Sequence, residues 1–242
     1  MYAMEAVDSE CKVVLVGDSR CGKTALVQRF VSDQFAEVYT PTGFEKYTCT
    51  GCVGGHRVRF VVWDTSGAAA YDSVRPLAYP DARVFLLCFR IGDPDSLENA
   101  VRKWYGEVRQ HSPGAPLILC GCAADQRGDV DTLARLARRR RAPVSSEQAL
   151  QVSRQLGAAT YVETSSRTAG RAVRDAFEVA ALAALGKLNS APAVGAPNGA
   201  TNGTNNGTSG GANGGGGTNG GAKAPHPLKA ELKGRARSCC VM

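Results

Sequence analysis

The sequence is short of aromatic residues and of long apolar runs. Aromatic side chains make up 7% of its 242 residues, and no apolar run approaches the roughly 20 residues that a membrane-spanning helix needs. The first residues do not resemble a signal peptide, and residue 2 is tyrosine rather than the glycine that myristoylation requires. These absences predict an intracellular protein without a transmembrane segment.

Charge is absent from residues 189–222, which are built almost wholly of Gly, Asn, Ala, Thr, Ser and Pro. A segment of this composition buries too little apolar surface to form a core, so it is predicted to be a flexible linker. The linker divides the chain into four predicted parts. They are a short N-terminal extension at 1–10, a globular domain at 11–188, the linker at 189–222 and a basic tail at 223–242.

The nine cysteines are odd in number, which argues against a disulfide framework in an intracellular chain. Cys49 and Cys52 have the spacing of half a zinc site, but no second pair or suitably placed histidine accompanies them. We therefore interpret them as two thiols on a strand.

The net charge of +7 is concentrated in two segments. Residues 127–141 hold six arginines against two aspartates, and residues 223–242 hold five basic residues against Glu231. The remaining chain has no basic bias, and it shows no interleaving of basic and aromatic residues. Nucleic acid is therefore not an expected partner.

Residues 17–24 have the spacing G-x-x-x-x-G-K-[ST] of a phosphate-binding loop. An apolar run rich in β-branched residues precedes them, and a helical pattern follows. In such a loop, backbone N–H groups and the helix N-terminus bind phosphate, the lysine reaches the β- and γ-phosphates, and the hydroxyl holds Mg²⁺. An ordinary glycine-rich turn is the alternative. The predicted ligand residues are Gly17, Asp18, Ser19, Arg20, Cys21, Gly22, Lys23 and Thr24.

Short apolar runs alternate with helical patterns through the rest of the domain. Gly54 and Gly55 join two of these runs and suit a tight hairpin turn. The pattern predicts an α/β fold with a mostly parallel, six-stranded sheet, one antiparallel edge strand and helices on both faces. Ligand then binds at the carboxyl ends of the strands. The predicted strands are 11–16, 46–53, 56–64, 82–89, 116–122 and 159–163, and the predicted helices 25–31, 94–110, 145–156 and 170–188.

Four segments together resemble the Rho family of small GTPases. They are the phosphate loop, Tyr39-Thr-Pro-Thr42, Trp63-Asp-Thr-Ser-Gly67 and the segment Arg75-Pro-Leu-Ala-Tyr-Pro-Asp81. More narrowly, the serine in the phosphate loop and the Trp-Asp-Thr-Ser-Gly segment resemble the Rnd subfamily, whose members are described as GTP-bound and hydrolysis-deficient. The resemblance implies a Ras-like P-loop NTPase fold with a Rho-type insert helix within Gly128–Pro143.

The resemblance implies GTP and Mg²⁺ as ligands. It assigns Thr24 and Thr42 to Mg²⁺, and Asp64 to the same ion through water. Tyr39 closes over the phosphates, and Phe35 lies on the guanine face. Thr42 also senses the γ-phosphate, so its loop distinguishes two states for partner proteins; a simple turn residue is the alternative. The other implied nucleotide contacts are Ala25, Gly67, Asp125, Ser165 and Ser166.

Ser19 and Ala68 depart from the family pattern at two positions that hydrolysis needs. Relatives that hydrolyse GTP well carry Gly and Gln there. A methyl group cannot orient water, and Ser19 crowds the space where the glutamine and an activating arginine meet. We therefore assign no catalytic residue and expect little or no hydrolysis. A slowly cycling GTPase is the alternative.

The base-recognition segments also depart from the family. Asp125 keeps the carboxylate that selects guanine, but Ala123 replaces a lysine that packs on the base and contacts the phosphate loop. Arg167 stands in a loop that departs from S-A-K, and Gly43 replaces a valine, which loosens the backbone after Thr42. A scaffold with weak nucleotide binding is thus a third possibility.

The last four residues, Cys239-Cys-Val-Met242, fit a C-a-a-X box with farnesyl on Cys239. One prenyl chain anchors only marginally, so the basic tail supplies the second attraction to an anionic inner leaflet. We expect a monomer at the cytoplasmic face of the plasma membrane, with a cytosolic pool. Its expected partners are effectors and Rho-regulatory proteins, and family analogy implies a part in actin and Rho signalling.

Overall fold

A computed structural model of the chain describes residues 8–168 and 170–188. The predicted linker, the basic tail and Cys239 lie outside the described residues, as does most of the predicted N-terminal extension. No helix in the described ranges is long and apolar enough to cross a membrane.

A single six-stranded sheet organises the described residues, in the order β2-β3-β1-β4-β5-β6. Neighbouring strands run parallel except for the edge pair β2 and β3, which is antiparallel and closed by a turn at Gly54 and Gly55. Both glycines have positive φ, at 59° and 86°, as a two-residue hairpin turn demands. The strands are β1 Ser9–Gly17, β2 Phe44–Val53, β3 His56–Thr65, β4 Val84–Arg90, β5 Leu117–Cys122 and β6 Thr160–Glu163.

Helices cover both faces of the sheet. They are α1 Lys23–Ser32, α2 Pro94–Asn99, α3 Tyr105–His111, α4 Val130–Ala137, α5 Ser146–Gln155 and α6 Arg171–Ala184. Residues 100–104 form a π-helical turn that joins α2 to α3. The fold therefore confirms the predicted α/β architecture, and α4 lies within the predicted insertion.

The alternation of side chains along β1 explains why its whole run is apolar. Val13 and Leu15 pack on the face covered by α1 and α6, whereas Val14 and Val16 pack on the face covered by α3 and α5. All four side chains are completely buried. A strand covered on both faces needs apolar residues at every position, so the two core layers hold β1 rigidly and fix the start of the loop that follows it.

Candidate nucleotide-binding site

The phosphate loop (residues 17–24), which joins β1 to α1, has no room for side chains at its two glycines. A Cβ at Gly17 would lie 2.2 Å from the carbonyl oxygen of Cys88, and one at Gly22 would lie 2.9 Å from the Cβ of Cys122. Both glycines also have positive φ, at 146° and 114°. The loop therefore lies directly on the ends of β4 and β5, with its backbone close to both strands.

Lys23 crosses the phosphate loop from the first turn of α1. Its side chain is buried, and its Nζ donates to the carbonyl oxygens of Gly17 at 2.8 Å and Asp18 at 2.9 Å. Both partners are neutral, so they orient the ammonium group without neutralising its charge. A buried positive charge beside backbone N–H groups suits an anion such as phosphate.

Three side-chain oxygens meet at the N-terminus of α1. The hydroxyl of Thr24 donates to Oδ2 of Asp64 at 2.6 Å, and it lies 2.6 Å from the hydroxyl of Thr42. Asp64 is completely buried, and its Oδ1 has no hydrogen-bond partner among the described residues. Burial raises the pKa of this carboxyl to about 6. Hard oxygen donors around a carboxylate with one unpartnered oxygen fit a divalent cation such as Mg²⁺.

The two segments that were predicted from sequence to recognise guanine lie side by side after β5 and β6. The backbone N–H of Ala124 donates to the carbonyl of Thr164 at 2.9 Å, and the Ser165 hydroxyl donates to Oδ1 of Asp125. Arg29 from α1 holds the carbonyl of Ser166 at 2.7 Å. The Ser165 hydroxyl thus orients the Asp125 carboxylate through Oδ1.

A cleft of about 740 Å³ lies where β1, β4, β5 and β6 end. The carboxyl ends of parallel strands are where ligands bind in open α/β sheets. The predicted site residues that line it are Ser19, Arg20, Cys21, Gly22, Lys23, Thr24, Ala25, Phe35, Tyr39, Thr42, Gly67, Asp125 and Ser166. Gly17, Asp18, Asp64 and Ser165 do not line the cleft, although each contacts residues that do.

Asp18 has a supporting position that the sequence did not predict. Its carboxylate accepts hydrogen bonds from the indole of Trp104 at 2.6 Å and from the amide of Asn99 at 2.7 Å. The π-helical turn brings the Trp104 side chain to this place. π-Turns are common at functional sites, and this one fixes the phosphate loop to the helical layer.

Two loops border the cleft: loop 1 (residues 33–43) and loop 2 (residues 66–83). A Cβ on Gly67 in loop 2 would lie 2.2 Å from the backbone nitrogen of Ser19, so loop 2 touches the phosphate loop there. A Cβ on Gly43 in loop 1 would lie 3.2 Å from the hydroxyl of Tyr71 in loop 2. Gly43 therefore permits loop 1 to approach loop 2, and Gly67 permits loop 2 to approach the phosphate loop. Ala68, which follows Gly67, offers only a methyl group.

Arg90 is a lining residue that sequence reasoning missed. It ends the otherwise buried, apolar strand β4. Its Nε donates to Oε1 of Gln126 at 2.8 Å, and its Nη1 donates to the carbonyl of Arg20 at 3.0 Å. A charged residue at the carboxyl end of a buried parallel strand was the sequence signal that could have identified it.

Cys49 and Cys52 do not form half a metal site. They lie three positions apart on β2, so their side chains point to opposite faces of the sheet. The thiols of Cys88, Cys120 and Cys122 do lie within 4.8 Å of one another, buried beneath the phosphate loop. All seven cysteines of the described ranges are free thiols.

Comparison with known proteins agrees with this geometry. The model of the Ras family matches residues 12–185. RhoE of Homo sapiens is 46% identical over 180 residues, which are 74% of each chain. RHO1 of Candida albicans is 46% identical over 174 residues, 72% of this chain and 87% of its own. RHO1 of Saccharomyces cerevisiae is 47% identical over 174 residues, 72% and 83% of the two chains. The chain belongs to the Ras family of small GTPases, and within it to the Rho family, close to the Rnd subfamily.

Proposed function

We propose that this Rho-type GTP-binding protein holds GTP with little or no hydrolysis and signals by docking effectors. The observation that carries the proposal is the close approach of Gly67, the residue before Ala68, to the backbone of Ser19 in the phosphate loop. The position that needs a water-orienting amide has a methyl group instead. Ser19, with its exposed side chain in the cleft, adds bulk at the same place.

The residues of the cleft fit a magnesium-bound guanosine triphosphate. Backbone N–H groups of the phosphate loop and Lys23 would hold the β- and γ-phosphates, and Thr24 and Thr42 would supply hydroxyl ligands to Mg²⁺. The ion would neutralise phosphate charge, and Asp64 would contact it through water. The unpartnered carboxylate oxygen of Asp64 supports this placement. Asp125 would accept hydrogen bonds from the guanine edge, which adenine cannot donate.

Exposed apolar side chains on both loops support effector docking. In loop 1, Val38 is 81% exposed and Tyr39 is half exposed. In loop 2, Leu77 is 77% exposed, and Val74 is also exposed. Exposed apolar groups on two loops that border a ligand cleft suit a partner that senses the ligand.

The missing lysine at Ala123 favours one alternative, a scaffold that retains nucleotide weakly. Ala123 lines the cleft close to Asp125, and it offers a methyl group where relatives carry a long lysine side chain. A slowly cycling GTPase is the remaining alternative. The nucleotide carried by protein purified in the presence of Mg²⁺ distinguishes the three. Bound GTP supports the proposal, bound GDP indicates cycling, and an empty protein indicates the scaffold.

For the segment beyond the described residues, we propose farnesylation of Cys239 and attraction of the basic tail to an anionic membrane. The protein would then occupy the cytoplasmic face of the plasma membrane, with a cytosolic pool. There it would meet effectors and regulators of Rho signalling and influence actin. The C-a-a-X spacing and five basic residues in the tail support this arrangement.

A further inference from the structure

We propose that Arg90 is a nucleotide-positioning residue. Its side chain links the phosphate loop to the base-recognition segment, and the short side chain of Ala123 cannot make this link. The inference rests on the proposed nucleotide site. It concerns how this chain retains a ligand without the lysine of its relatives. Neither Arg90 nor Gln126, its partner in the base-recognition segment, was among the site residues predicted from sequence.

The position of Arg90 follows from the register of the sheet. Arg90 on β4 pairs with Cys122 on β5, and Ala123 is the next residue after Cys122. The register therefore places Arg90 and Ala123 at the same edge of the sheet, one position apart. Arg90 and Ala123 both line the cleft. The side chain of Arg90 ends in a guanidinium group, whereas that of Ala123 is a single methyl group.

The contacts of Arg90 reach both parts of the site. Nη1 donates to the carbonyl of Arg20 in the phosphate loop, and Nε donates to the amide oxygen of Gln126, the residue after Asp125. Hydrogen bonds from a charged donor are stronger than those between neutral groups. A planar guanidinium that donates in two directions holds two segments at a fixed separation, which a bound nucleotide must span.

Arg20 is the residue in the phosphate loop that most needs such support. Its φ of 63° lies in the left-handed region, which side-chain-bearing residues rarely adopt. A strained conformation persists only where the surrounding structure over-determines it. The bond from Arg90 holds the Arg20 carbonyl and so stabilises this conformation of the phosphate loop.

The surroundings of Arg90 are built to hold it. The Ser96 hydroxyl accepts from the backbone N–H of Arg90 at 2.9 Å. A Cβ at Gly92 would lie 2.3 Å from the Gln126 oxygen that Arg90 contacts. A residue larger than glycine at position 92 would therefore displace that oxygen. Ser96 therefore holds the backbone of Arg90, and Gly92 leaves room for the contact between the Arg90 and Gln126 side chains.

The test measures dissociation of fluorescent GDP and GTP analogues from Arg90→Ala, Ala123→Lys and the double variant. Arg109→Ala is the control, because Arg109 also donates to two backbone carbonyls but lies outside the cleft lining. We expect Arg90→Ala to speed dissociation about tenfold, and Arg109→Ala to leave it unchanged. Ala123→Lys should slow dissociation about tenfold in the Arg90→Ala background and less than threefold in the parent.

Coupling between the effects of substitutions at positions 90 and 123 on nucleotide dissociation distinguishes a positioning role of Arg90 from a merely structural one. Equal effects of Ala123→Lys in both backgrounds would overturn the inference, even if Arg90→Ala lowered thermal stability. So would a parent-like off-rate for Arg90→Ala with nucleotide tightly bound, and this result would leave the proposed function intact. A parent chain that binds no guanine nucleotide would overturn both.

Discussion

Arg75 and Glu107 form an ion pair at 2.7 Å inside the protein, with the Arg75 side chain completely buried. The same guanidinium donates to the carbonyl of Ser66 at 2.7 Å and to that of Ala68 at 3.1 Å, and it lies over the ring of Trp104. One side chain therefore fixes the start of loop 2 to the helical layer. The carbonyls that it holds flank Gly67, the residue in contact with the phosphate loop.

The first prediction concerns this anchor. Arg75→Lys keeps the charge but loses the planar fork, so it cannot satisfy Glu107 and both carbonyls together. We expect a loss of about 3 kcal/mol in the free energy of unfolding, measured with urea, because buried charges are left without partners. Lys103→Ala is the control, because Lys103 forms an ion pair on the exposed side of the same cluster. This substitution should lower the free energy of unfolding by less than about 1 kcal/mol. Equal losses in the two variants would contradict the anchor.

The sequence predicted the parts of the molecule that depend on local pattern. The apolar run that became β1, the Gly-Gly hairpin and the helix after the phosphate loop each follow from the residues within them. Contacts between distant residues could not be predicted in this way. Trp104 and Asp18 lie 86 positions apart, and Arg90 and Arg20 lie 70 apart. Neither contact can be predicted from the spacing of its two residues, because the contact depends on the sheet that brings the strand ends together.

The boundaries of the predicted helices and strands also differ from the observed ones where contacts between distant residues decide them. The helical pattern over residues 94–110 is interrupted by the π-turn at 100–104, for which the apolar periodicity gave no signal. Strand β2 begins at Phe44, two residues before its predicted start, because it pairs with the end of β3. Both differences come from tertiary contacts rather than from local preference.

The second prediction tests the magnesium site. Thr24→Asn replaces a hydroxyl that bonds Asp64 and lies beside Thr42 with a bulkier amide. We expect magnesium-dependent nucleotide affinity to fall at least tenfold, and thermal stability to fall as well, because the amide is a poorer ligand in a crowded place. Thr48→Asn, on the edge strand β2, is the matched control. Parent-like nucleotide content and melting temperature in Thr24→Asn would refute the assignment of this loop.

The third prediction uses the contact between loop 2 and the phosphate loop. Gly67→Ala would put a methyl group 2.2 Å from the Ser19 nitrogen, so one of the two loops must move. Overpacking of this kind costs about 1–3 kcal/mol, and we expect nucleotide to dissociate at least tenfold faster. Gly114→Ala meets no atom within 4 Å and should change neither quantity. If both variants retain nucleotide equally well, the two loops do not touch in solution.

The fourth prediction concerns membrane attachment. Cys239→Ser should release the protein to the cytosol, whereas Cys240→Ser should leave it bound, because processing of a C-a-a-X box removes the last three residues. Replacement of the five basic tail residues by Gln should weaken attachment, since each contributes about 1 kcal/mol near an anionic surface. Fractionation of cells that express each variant provides the measurement. Membrane retention of Cys239→Ser would exclude a prenyl anchor.

The fifth prediction is that Ser19 and Ala68 together prevent hydrolysis. In the wider superfamily an activating arginine accelerates hydrolysis by roughly 10⁵, but here it would meet a serine and no water-orienting amide. Ala68→Gln alone and Ser19→Gly alone should each restore little, because the glutamine needs an unobstructed path to the water. The double variant should hydrolyse GTP faster than the product of the two single effects predicts.

Single-turnover hydrolysis of preloaded GTP by the unmodified chain, with and without a Rho-type activating domain, shows whether the protein hydrolyses its nucleotide. We expect GTP to remain intact over hours and the activating domain to produce no large acceleration. The double variant, Ala68→Gln with Ser19→Gly, serves as the positive control in the same assay. Rapid turnover by the unmodified chain would contradict this expectation and identify the protein as an ordinary cycling GTPase.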